Sequence, residues 1–144
     1  MAYNPKKEVF EIFDEFEKQP NKAKRKELLL KHSENQAFRD VLRGTFDDVL
    51  IWNLPEGRPP FTANLPESVP STLLREHRQF GYFVKGAKGD GIPDYKRENM
   101  FIRLLEAIHP ADAEIVLSMV TKKSPVKFLT KKLVQEAYPN LITT

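Results

Sequence analysis

The chain has 144 residues, 40% hydrophobic and 30% charged, with a net charge of +3 and no cysteine. That composition is expected of one soluble domain with a single core, and it argues against a disulfide framework, thiolate metal sites and a membrane span. Residues 1 to 70 carry 11 basic and 12 acidic side chains and residues 71 to 144 carry 12 and 8, so positive potential is concentrated in the C-terminal half. The N-terminal segment MAYNPKKEVFEIFDEF lacks the apolar run of a secretory signal, which predicts a chain that works where it is made.

In chain order, Val9, Phe10, Ile12, Phe13 and Phe16 recur at helical spacing and predict a helix from Glu8 to Lys18, closed by Pro20. Glu8, Glu11, Asp14, Glu15 and Glu17 form its opposite, solvated face. A second helix, Lys22 to Lys31, opens on the basic cluster Lys22, Lys24, Arg25 and Lys26 and buries Leu28, Leu29 and Leu30 at least partly. Asn35 is read as the N-cap of a third helix through Phe38, Val41 and Leu42, followed after Gly44 by a short apolar segment from Phe46 to Trp52. Trp52, the only tryptophan, is read as core packing.

Five of the eleven prolines fall between Asn53 and Pro70, which reads as an extended surface loop within one domain. Ser71 is then expected to cap a helix that mixes Leu73, Leu74, Phe80 and Phe83 with Arg75, His77 and Arg78, its basic side offering Arg75 and Arg78 as a second contact surface. The glycine-rich stretch at about 85 to 93 contains Lys88-Gly89-Asp90-Gly91, the short Lys-x-Asp-Gly pattern of lysyl-AMP formation. It lacks the Walker spacing, and no segments stand out that would build a nucleotide pocket, so it reads as a surface loop. His32, His77 and His109 show no metal-ligand spacing, and no metal or other cofactor is expected.

Met100, Phe101, Leu104, Leu105 and Ile108 describe another amphipathic helix, and Pro110 opens the next, with Asp112 and Glu114 near its positive end and Ile115, Val116, Met119 and Val120 facing inward. The final segment holds five lysines and no acid between Lys122 and Lys132. Ser124 reads as an N-cap and Pro125 as the first helical residue, burying Val126, Leu129, Leu133, Val134 and Ala137 and exposing Lys127, Lys131, Lys132 and Phe128. Lys122 and Lys123 beside the free amides of that start would bind phosphate. The whole reads as an all-α, single compact multi-helix bundle over residues 1 to 144.

The order of NKAKRKELLLKHSEN, QAFRDVLRGTFDDVL, the Trp and Pro-rich stretch and ADAEIVLSMVTKKSPVKFLTKKLVQEAYPNLI, with its Tyr-Pro-Asn-Leu-Ile close, resembles the N-terminal DNA-binding domain of ATP-dependent DNA ligases from T-even-like tailed phages. The resemblance covers nearly the whole chain. It implies a fold that grips double-stranded DNA through backbone contacts, a gripping role for Lys122, Lys123 and Ser124, and a place in the cytoplasm of an infected bacterium. Ser124-Pro125 departs from the small residues, including glycine, that the family carries in this turn. The sequence ends where a ligase continues into its catalytic domains, so no catalytic residue is expected here.

The leading expectation is a non-catalytic DNA-binding accessory of phage replication or repair. It would use Lys122, Lys123, Ser124, Lys127, Lys131 and Lys132, with Arg75 and Arg78 as secondary contacts. A second expectation is an interaction module that binds a replication, transcription or host protein, drawing on the acidic first helix and on Phe61 and Leu65 of the long loop.

Overall fold

A computed structural model describes residues 7 to 143; the first six residues of the segment read for a secretory signal, and Thr144, lie outside them. Seven α-helices and one 3-10 helix make up the described residues, with a single isolated antiparallel bridge between Trp52 and Val84 in place of any sheet. Among the described residues no helix is long and apolar enough to cross a membrane.

Helix α1 spans Val9–Glu17 and buries Val9, Ile12, Phe13 and Phe16, the face its spacing predicts. The Glu8 amide donates to Glu11 at 3.0 Å, one half of a capping box. Helix α2, Lys22–Lys31, is capped by Asn21, which accepts from the Lys24 amide at 2.9 Å. It buries Leu28 and Leu29 but leaves Leu30 47% exposed. Asn35 caps α3, Gln36–Phe46, as expected, accepting from the Phe38 amide at 3.1 Å.

Gly44 does not end α3, which runs on through Thr45 and Phe46. The glycine serves packing instead: a Cβ there would lie 2.7 Å from Met119 Sδ and 2.7 Å from the Trp52 ring. Its carbonyl also accepts the Trp52 indole at 3.0 Å. Gly44→Ala is expected to cost about 1–3 kcal/mol through overpacking, read as a lower denaturation midpoint.

The chain from 53 to 70 is an extended strap with no helix. Its ties run to the last third of the chain: Arg58 pairs with both oxygens of Glu114 at 2.9 and 2.7 Å, and Asn64 donates to the carbonyls of Glu106 and Ile108 at 2.7 and 2.9 Å. Thr72, not Ser71, caps the short α4, Leu73–Glu76, accepting from the Leu74 amide at 3.3 Å. Ser71 instead donates its hydroxyl to Glu76 at 3.0 Å. The expected single helix here tightens into a 3-10 helix over His77–Phe83, and the following glycine-rich stretch is a loop, as read.

Helices α5, Asp94–Ala107, and α6, Pro110–Val120, follow the predicted pattern. His109 caps α6 by accepting the Ala111 amide at 3.0 Å and stacks on Phe10 with ring centroids 4.0 Å apart. Helix α6 packs against α1, α3 and α5, and the last helix, α7 over Lys131–Ala137, packs on α2. Tyr138 closes that pairing by donating to the Leu29 carbonyl, while Leu141 and Ile142 are buried behind it.

Candidate nucleic-acid interface

The basic segment after α6 departs from its expected form. Lys123 N–H bonds to the Ser118 carbonyl at 2.9 Å and Lys122 N–H to Met119 at 3.0 Å, the two bonds of a Schellman ending, with Lys122 at φ 60° where glycine is usual. A non-glycine residue in this region is strained, and the side chain supplies an anchor: Lys122 Nζ donates to the Asp47 carbonyl at 2.7 Å. Burial, opposed by Asp47 and Asp48, holds the Lys122 ammonium below its ordinary pKa. Lys122 is thus a structural clip at the end of α6.

No helix begins at Ser124 or Pro125. Residues 121 to 130 form turns and extended chain, with Phe128 at φ 70°, and α7 starts only after Thr130, whose hydroxyl accepts the Leu133 amide at 3.2 Å. A helical first turn cannot contain a residue at positive φ, so the Thr130 cap prevails over the local Ser-Pro signal. Ser124 donates its hydroxyl to the Val126 carbonyl at 2.9 Å instead. The anion cradle expected between Lys123 and a helix start is therefore not formed.

What replaces it is a composite surface. Packing of α7 on α2 brings the α2 basic cluster to the turn: the Arg25 guanidinium sits 4.0 Å from the centre of the Phe128 ring, which is 58% exposed. A guanidinium stacked on an aromatic can present its remaining edge donors to phosphate; in Arg25 one terminal nitrogen donates to the Gln19 carbonyl at 3.4 Å and Nε is buried, which leaves the other terminal nitrogen for that role. Lys123, Lys127 and Lys132 are exposed and make no ion pair among the described residues. Lys131, by contrast, reaches Asp48 at 2.9 Å, and Lys22 reaches Glu136 at 3.2 Å. Neither Arg25 nor its neighbours on α2 stood out as site residues in the sequence, because their junction with Phe128 exists only after the two helices pack.

Arg75 and Arg78 are exposed, but they line two different cavities, neither of which includes any residue from Lys122 to Lys132. Arg75 borders a space of about 410 Å³ together with Glu8, His109 and Asp112. Asp112 is fully buried there: one carboxylate oxygen accepts the Phe10 amide at 3.0 Å and the other has no hydrogen-bond partner among the described residues. Burial, then the negative charge of Glu8, raises its pKa to about 7 against the pull of the Phe10 amide. Glu8 itself accepts the Thr72 hydroxyl, so the first acid of the α1 face is engaged in tertiary structure.

His77 Nδ1 lies 2.6 Å from Asp40, a contact between α3 and the 3-10 helix. Among the described residues no group of three or more His, Asp or Glu side chains is placed to hold a metal ion.

The molecule is an all-α domain of seven α-helices among its described residues, with a basic and aromatic surface where α2 meets the α6–α7 turn. The chain belongs to the family of unknown function DUF6433, whose profile matches residues 12–125. That match includes Lys122, Lys123 and Ser124 and stops before Lys127, Lys131 and Lys132. No curated protein matches the chain.

Proposed function

We propose that this protein is a non-catalytic DNA-binding accessory that contacts the duplex backbone with little sequence preference, in phage replication or repair. The observation that carries the reading is the meeting of two basic clusters across the Arg25–Phe128 stack, with Lys123, Lys127 and Lys132 unpaired beside it among the described residues. Exposed lysines around an aromatic provide point charges for phosphates and a flat surface for a sugar or an unstacked base. The resemblance to the ligase domain supports the same partner. Of the lysines first assigned to the contact, Lys123, Lys127 and Lys132 carry it, Arg25 joins them, and Lys122 and Lys131 stand behind as anchors.

Binding to nicked, intact and single-stranded DNA across a salt series tests this reading. Each phosphate contact contributes about −0.9 to the log-log slope, so the combined Lys123→Ala, Lys127→Ala and Lys132→Ala variant should show a slope shallower by about 2.7. Lys122→Ala should leave the slope unchanged because its ammonium is held by Asp47. Unchanged affinity and slope in the triple variant would remove the basis of the assignment.

A second reading, an interaction module for a replication, transcription or host protein, is favoured by one feature. Val49 and Ile51 are 63% and 54% exposed in the segment after α3, and Leu65 of the long strap is 65% exposed. Phe61 is half-buried beneath the Arg58 guanidinium, 5.0 Å from its ring, and is less available than the sequence implies. A stoichiometric protein that co-purifies through nuclease treatment would select this reading.

A further inference from the structure

A cavity of about 520 Å³ opens between α3, the 3-10 helix and the 85–91 loop, and it shares no lining residue with the basic surface described above. Its apolar wall includes Trp52 and Phe80, whose rings meet edge to face with centroids 6.3 Å apart. Arg43, Arg78 and Lys88 also line it; Arg43 is paired with Asp47 at 3.6 Å, and the one lining acid, Asp40, is engaged by His77, which leaves Arg78 and Lys88 as the uncompensated cations. Arg78 has no carboxylate partner among the described residues.

The Lys88 wall is held in place by two glycines. The Lys88 stem lies where a Cβ on Gly81 would come within 3.1 Å of it, and a Cβ on Gly89 would fall 1.8 Å from the Tyr82 carbonyl oxygen. Lys88 Nζ lies 4.3 Å from the centre of the Tyr82 ring and donates to the Arg78 carbonyl at 3.3 Å, which keeps the two cations on neighbouring parts of the chain. Such a space has the volume of a small-molecule site, an aromatic wall and an excess of positive charge.

We propose that this cavity binds a single unstacked nucleotide, its base against Trp52 and its phosphate between Arg78 and Lys88, supplied either as a free mononucleotide or as the phosphorylated end of a strand. The site is separate from the duplex-binding surface, and the proposal does not depend on that reading. Trp52 is the only tryptophan, so its fluorescence reports occupancy directly.

The intact protein is titrated with deoxyadenosine monophosphate, deoxyadenosine, inorganic phosphate and a short 5′-phosphorylated single strand. Saturable quenching by the mononucleotide, weaker by about tenfold for deoxyadenosine and in the Arg78→Ala, Lys88→Ala variant, is the expected result. Quenching by the phosphorylated strand alone also supports the site and assigns its occupant to strand ends, provided the same variant weakens it. The Lys123→Ala, Lys127→Ala and Lys132→Ala variant should keep the mononucleotide response, which separates this site from the duplex surface. Absence of saturable quenching by mononucleotide and strand alike overturns the proposal. So does a response equal for deoxyadenosine, or one unchanged in the Arg78→Ala, Lys88→Ala variant with native circular dichroism.

Discussion

Asp112→Asn should flatten the fall in stability between about pH 4 and pH 7 and leave the variant more stable than the parent at pH 8. The Asp112 carboxyl, ordinarily near 3.8, is raised to about 7 in the fold, chiefly by burial. Between those values the folded chain holds a proton that the unfolded chain has released, so stability declines as pH rises and levels off above about 7. Each pKa unit corresponds to about 1.36 kcal/mol, which makes the full cost of the ionised form of order 4 kcal/mol. Asparagine keeps an acceptor for the Phe10 amide and brings no charge beside Glu8 and Glu11. Denaturant titrations of both proteins at pH 5 and pH 8 measure the difference; parallel pH dependences would show that Asp112 is not a buried acid of this kind.

Arg97→Met should lower stability by about 3 kcal/mol, because this guanidinium ties the strap at Asn53 and the loop at Ile92, neither with a helix of its own, to the start of α5. It is 4% exposed, donates to the carbonyls of Asn53 and Ile92 at 2.8 Å each, and pairs with Asp94. Methionine preserves the apolar stem but leaves two carbonyls without their donor, at about 1–3 kcal/mol apiece when buried. Arg97→Lys should recover only part of the loss, since one ammonium cannot reproduce the planar fork. Chemical denaturation gives the magnitude, and a cost below about 1 kcal/mol would mean that water replaces the fork readily.

Local signals were legible in the sequence and distant ones were not. Asn35 as a cap, Pro110 at a helix start and the apolar spacings of α1 and α5 each rest on residues within a few positions of one another, and the structure places them as read. Ser124-Pro125 was an equally local signal, yet it lost to the Schellman ending at Lys122 and the positive φ of Phe128, both of which depend on how α6 meets α3 and how α7 meets α2. Gly44 looked like a helix stop because its reason, close approach by Met119 and Trp52, lies elsewhere in the chain. The same limit hid the Asp40–His77 contact, the buried Asp112 and the Arg25–Phe128 stack. The basic character of the C-terminal half was readable from charge alone, but which lysines are free and which are anchored depends on Asp47 and Asp48, which the fold brings to Lys122 and Lys131.

Amide NMR of the isotope-labelled protein, titrated with a short DNA duplex at low and then raised salt, tests the central claim most directly. The account predicts shifts concentrated between Lys22 and Lys26 and between Lys123 and Lys132, including Phe128, that recede as salt is raised. No shifts at low salt, or shifts centred on the acidic face of α1, would contradict it.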